Sequence, residues 1–115
     1  MNKENRLAEM NAMTKEHIST AIYCELKFAQ LKFEPMHSAH EGYATLKEEI
    51  EELTTEVEVL SEALKELWYY IKKNDPVNTK NVIDIMKERR ENLVHEAVQV
   101  SAMIERFSID VCGER

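Results

Sequence analysis

Between Tyr43 and Ile71 the apolar residues fall three and four positions apart without a break: Tyr43, Leu46, Ile50, Leu53, Val57, Leu60, Leu64, Leu67 and Ile71. That spacing gathers them on one side of an α-helix and would scatter them over both faces of a strand. It is a heptad seam, and a chain that carries one must provide helices of similar length to cover it. Two prolines, Pro35 and Pro76, and two glycines are all that interrupt 115 residues. Turn residues so scarce exclude a hairpin-rich β fold. The prolines divide the chain into three helical segments. The expected fold is therefore all-α: an antiparallel bundle of three long helices forming one domain, residues 1–115, completed by oligomerisation.

The first segment, about Lys3 to Lys32, carries Leu7, Met10, Ile18, Ile22, Leu26, Ala29 and Phe33 near helical spacing, weakened at Thr14. Tyr23 and Phe28 lie off that stripe and also need cover, so this helix contacts more than one neighbour, a partner subunit being one candidate. Ser38 followed by Glu41 is a capping-box pattern that opens the second helix, about Ala39 to Lys73. Gly42, in its first turn, permits close approach of another helix or of a ligand. His37 and His40 have a zinc-like spacing that no cysteine or further histidine pattern completes. Trp68, Tyr69 and Tyr70 suit a core, an interface or the flank of a base. Asn78 or Thr79 can cap the third helix, which runs to about Val111 with the stripe Val82, Met86, Leu93, Ala97, Val100, Ile104, Phe107 and Val111. Arg89 occupies a place where that stripe calls for an apolar residue.

Fifteen basic residues against twenty-two acidic ones give a net charge of -7. No basic stripe offsets phosphate repulsion, which argues against nucleic-acid binding. No apolar run approaches the roughly 18 residues of a membrane span. Met1 to Arg6 precede no apolar signal region, and Cys24 and Cys112 read as free thiols in a reducing compartment. A cytoplasmic protein is expected.

The acids have a pattern of their own. At about 100° per residue, Glu49, Glu52 and Glu56 fall roughly 40°, 100° and 60° to the same side of Leu53. Glu48 and Glu51 point outward. On the third helix Glu96 and Gln99 repeat those offsets against Val100, at about 40° and 100°, with Asn92 between them. If the two seams pack, the flanks meet. Carboxylates crowded at such a junction repel unless protonated or neutralised by a cation. Mg²⁺ is the natural cation for carboxylate oxygens, and it keeps waters and accepts phosphate oxygens as further ligands. Glu flanking a heptad seam is also the ordinary way to solvate one, so a helical scaffold without chemistry is the competing expectation.

Glu49-x-x-Glu52 and Glu96-x-x-Gln99, with the approach Ser38-Ala39-His40-Glu41-Gly42-Tyr43, resemble the MazG-like all-α nucleoside triphosphate pyrophosphohydrolase family in its phage-type form. That family pairs E-x-x-E on one helix with E-x-x-D on the next to bind Mg²⁺. The resemblance covers roughly residues 30 to 110. It implies a site of Glu49, Glu52, Glu96 and Gln99 holding Mg²⁺ or Mn²⁺, and a nucleoside triphosphate cleaved to monophosphate and pyrophosphate. Glu48 or Glu56 would be the base. Lys47, Lys73 and Arg89, with Lys72 and Arg90 behind them, would be the phosphate contacts. Gln99 departs from the pattern: its amide oxygen can ligate the metal but brings no charge. The result is either weaker metal binding with activity retained, or a binding or degenerate relative. A homodimer or homotetramer with the site near an interface is expected.

Overall fold

The computed structural model describes residues 2–114, so Met1 and Arg115 of the expected 1–115 domain lie outside the described residues. Three helices account for nearly all of it: α1 (Lys3–Lys32), α2 (Ala39–Lys72) and α3 (Pro76–Asp110). The architecture is the expected all-α bundle, and no helix among the described residues is long and apolar enough to cross a membrane. Successive helices run in opposite directions. α3 lies between the other two, and the backbones of α1 and α2 nowhere approach each other among the described residues.

Each helix end is satisfied locally. Asn2 caps α1 by accepting from the backbone N–H of Asn5 at 2.8 Å. Ser38 caps α2 by accepting from Glu41 N–H at 3.1 Å, as the sequence implies. The returning half of the capping box is displaced by one residue: Glu41 Oε2 accepts from His37 N–H at 3.1 Å. The start of α3 differs from expectation by one turn. Asp75, not Asn78 or Thr79, is the cap, accepting from Asn78 N–H at 3.0 Å with Pro76 in the first turn. Proline suits that position because its missing N–H would have no intrahelical partner there. These hydrogen bonds from Asn78 hold the Asp75 carboxyl below its ordinary pKa. Upstream, the N–H groups of Asn74 and Asp75 return to the carbonyls of Ile71 and Tyr70, closing α2 in a Schellman motif. Its left-handed position falls to Asn74, φ 53°, a residue type that tolerates it. Asp75 thus ends one helix and begins the next.

The core gathers where the end of α1, the connector and the two ends of the α2–α3 hairpin meet. Leu26, Ala29, Met36, Ala102 and Met103 are buried there, with Ile22, Leu46 and Phe107 packed against them. The α1 stripe is buried only toward its C-terminal end; every described residue before Ala21 is exposed, including Leu7, Met10 and Ile18. The α2 seam also divides. Leu46, Leu53, Leu60 and Leu67 are partly buried on the α3 side, while Tyr43, Ile50, Val57, Leu64 and Ile71 remain exposed.

Of the two openings left by Gly42, the helix takes it. A Cβ there would stand 2.6 Å from Cε2 of Phe107 and 3.2 Å from Sδ of Met36. Gly42→Ala gains helix propensity of about 1 kcal/mol, but overpacking costs about 1–3 kcal/mol. Urea denaturation should therefore show a net loss near 1 kcal/mol. In a Phe107→Ala background the same change should turn stabilising. A stabilising effect with Phe107 intact would contradict this account of the close approach.

Candidate metal centre

The antiparallel register of α2 and α3 follows from three cross-helix neighbours: Gly42 beside Phe107, Glu52 beside Glu96, and Glu56 beside Arg89. In the middle of that register, Glu49, Glu52 and Glu96 each offer a carboxylate oxygen within 4.8 Å of the others. Glu49 and Glu96 are partly buried and Glu52 is exposed, so the cluster sits at the edge of the α2–α3 junction.

Among the described residues, no lysine or arginine forms a salt bridge with any of the three. Oε2 of Glu49 and Oε2 of Glu96 are shut off from solvent, and neither has a hydrogen-bond partner. Burial raises the pKa of Glu49, and the charges of Glu52, Glu96, Glu48 and Glu25 raise it further. Burial also leads at Glu96, followed by the charge of Glu52; His95 opposes the rise. Orphaned carboxylate oxygens are exceptional in a folded interior. These two, with Glu52, make the all-oxygen donor set that a hard divalent cation takes. The residues present fit such an ion.

Gln99 lines the same groove as Glu49 and Glu48, a cavity of about 590 Å³ bounded on the α1 side by Glu25, Phe28 and Phe33. Glu48 is exposed at that groove. Glu56 lies outside the cluster but near enough for its charge to raise the Glu96 pKa; its Oε2 is 3.9 Å from Nε of Arg89, and both atoms are buried without a hydrogen bond. Arg89, the apparent interruption of the α3 stripe, is therefore the counter-charge of Glu56. Of the other expected phosphate contacts, Lys47 pairs with Glu51 on the exposed side of α2. Lys73 is the C-cap of α2, about 36 Å along the helix axis from Glu49. Lys72 lies 5.5 Å from the centre of the Trp68 ring. Arg90 lines a different, mostly apolar cavity between α1 and α3, beside Cys24 and Val94. The structure gathers the carboxylates and leaves the lysines elsewhere.

Two further residues at the groove were not singled out in the sequence. Glu25 lies near enough to Glu49 to raise its pKa, and its Oε1 is 2.9 Å from Nε2 of His95. Its position next to Leu26 on the α1 stripe is the one signal that could have drawn attention to it. Arg106 is 6% exposed and lines the groove wall. It donates to the Glu34 carbonyl, and its Nε is 3.5 Å from Asp110. Asp110 in turn accepts from Met36 N–H at 2.9 Å. No family model, no curated protein and no solved structure matches the chain.

Proposed function

We propose that Glu49, Glu52 and Glu96 hold a divalent metal, Mg²⁺ or Mn²⁺, and that the groove beside them takes a nucleoside triphosphate for hydrolysis to monophosphate and pyrophosphate. The observation that carries the metal half is the pair of solvent-excluded oxygens on Glu49 and Glu96 that no described residue satisfies. The substrate half rests on the resemblance of the two acidic motifs to the MazG-like pyrophosphohydrolases. When bound, the cation would neutralise charge on the phosphate chain and lower the pKa of a water.

The chain's own residues supply the rest of this reading. Glu49 and Glu96 position the cation from opposite helices, and Glu52 closes the set from the solvent side. Glu48 is the better placed of the two candidate bases, because it faces the open groove while Glu56 is engaged by Arg89. Phe28 is the groove aromatic a base would stack on; Phe33 is already engaged by Arg106, whose guanidinium lies 5.8 Å from its ring centre. A homo-oligomer is part of the same proposal.

The test is pyrophosphate release from a panel of ribo- and deoxynucleoside triphosphates with Mg²⁺ or Mn²⁺, alongside the melting temperature with and without metal. Absence of both turnover and a metal-dependent rise in Tm would overturn the proposal. A metal-dependent rise without turnover would favour the second reading, a helical regulatory protein that keeps a cation site. Gln99→Asp adds a charge where the family carries one. Calorimetric titration should then show Mg²⁺ binding tightened, by about tenfold if Gln99 is a ligand. An unchanged affinity would place Gln99 outside the metal's shell.

A further inference from the structure

The outer half of the α2 seam has no partner among the described residues. Ile50, Val57, Leu64 and Ile71 repeat every seven residues and are 46% to 58% exposed, which is far from ordinary for large apolar residues in such strict register. Their other side, Leu46 to Leu67, faces α3. Thr54, Ser61 and Trp68 lie about 40° from the stripe on the side away from α3. All three are uncharged. The result is an exposed band without a formal charge from Ile50 to Ile71.

The rim of that band is charged in an ordered way. About 100° from the stripe, on the same side as Trp68, come Glu51, Glu58, Lys65 and Lys72. The first two are negative and the last two positive. Glu58 and Lys65 are equally far from the midpoint between Ser61 and Glu62, and so are Glu51 and Lys72. A two-fold axis through that midpoint, perpendicular to the helix, would place each rim acid level with a rim lysine of a second copy.

We infer that this band is where two copies of the chain pair, with their α2 helices antiparallel and centred between Ser61 and Glu62. In that register the apolar residues interleave. The partner's Leu64 falls between Val57 and Ser61, and the partner's Trp68 between Thr54 and Val57. Side chains from the two copies alternate along the axis, as knobs must to fill holes. In a parallel pair each rim residue would instead face the opposite edge of the partner's seam, the leucine row from Leu46 to Leu67, and the rim acids and lysines would find no counter-charge. Within one chain the competing partners are weak: Lys65 reaches Glu62 at 3.0 Å on an open surface, and Lys72 lies over Trp68. The inference gives the homo-oligomer of the proposed function its interface, but it uses nothing from the metal site or the nucleotide reading, so either can fail without the other.

Sedimentation equilibrium of the full chain over micromolar concentrations tests it. Twice the chain mass is expected. Leu64→Glu should weaken pairing on the order of a hundredfold or more, because each copy then places a charge in the other's apolar band. Its helical circular dichroism should be unchanged, since Leu64 is exposed in the single chain. Register is read by cross-linking in a background with Cys24 and Cys112 changed to serine. Ser61→Cys should form a disulfide-linked dimer. Val57→Cys should not, because the two copies of position 57 lie about 13 Å apart along the axis. A monomer at every concentration would leave the band for a different protein and overturn the inference. A dimer indifferent to Leu64→Glu, or linked as readily through Val57→Cys, would overturn it as well.

Discussion

Glu49→Gln is expected to abolish the metal-dependent rise in melting temperature and to lower pyrophosphate release at least about a hundredfold. Loss of a residue that merely supports a ligand already costs about 10- to 100-fold in metal affinity or activity. Loss of a ligand carboxylate should cost no less. The same substitution should have the opposite effect on the metal-free protein. Burial penalises the Glu49 charge, and the charges of Glu52, Glu96, Glu48 and Glu25 add to that penalty. Removing its charge relieves the repulsion, so metal-free Glu49→Gln should melt higher than the parent at neutral pH.

The pH dependence has a definite sign. Glu49 and Glu96 have folded-state pKa values raised above the ordinary 4.5. Over that interval the folded chain binds more protons than the unfolded one, so these two groups cost stability as pH rises. The loss begins near pH 4.5 and is complete once pH passes their raised values. Metal should flatten the upper end of that profile, since it replaces the proton as the neutralising charge. Thermal melts from pH 4 to pH 8, with chelator and with Mg²⁺, check both. A parent protein whose metal-free stability is flat or increasing over the window, with Glu49→Gln no more stable, would show that the three carboxylates do not crowd one another.

The second large effect is structural. Arg106→Ala should destabilise the chain by about 3–5 kcal/mol, the usual cost of leaving one half of a buried ion pair uncompensated. Asp110, with its side chain 11% exposed, would keep only the Met36 N–H, and the Glu34 carbonyl would lose its donor. Against a total stability of about 5–15 kcal/mol for a small domain, that is a large fraction. Urea denaturation measures it. Arg106→Met with Asp110→Asn should cost less than Arg106→Ala alone, because the asparagine oxygen still accepts from Met36 and no charge is stranded. A loss below about 1 kcal/mol for Arg106→Ala would mean the connector is held by packing alone.

Much of this arrangement could be read from residue spacing. The equal angular offsets of Glu49 and Glu52 from Leu53, and of Glu96 from Val100, depend only on helical geometry. They place Glu49, Glu52 and Glu56 on one flank and Glu96 on the facing one; the fold brings Glu49, Glu52 and Glu96 together and sets Glu56 against Arg89. The boundaries of α1 and α2 followed from proline, serine and apolar period in the same way. What spacing cannot supply is which neighbour a given side will meet. The α2 seam looked like one surface, yet Leu53 and Ile50 face different surroundings because α3 covers only one flank of it. Glu25 and Arg106 became visible only when α1 and the connector were placed against α3. The start of α3 was hidden for a more local reason: Asp75 and Asn78 are both acceptable caps, and the Schellman turn through Asn74 favours the earlier one.

The placement of α3 between the other helices has a consequence for the order in which the molecule assembles. The α2–α3 hairpin joins neighbouring segments through a turn at Asn74–Asp75, whereas Glu25 reaches His95 across 70 residues of chain. Contacts near in sequence close with less entropy lost, so the hairpin is expected to form from its turn before α1 docks on it. All three carboxylates of the cluster belong to the hairpin. In that order, the carboxylates proposed to hold a cation would come together before the groove gains its α1 wall, and the docking of α1 would complete the groove.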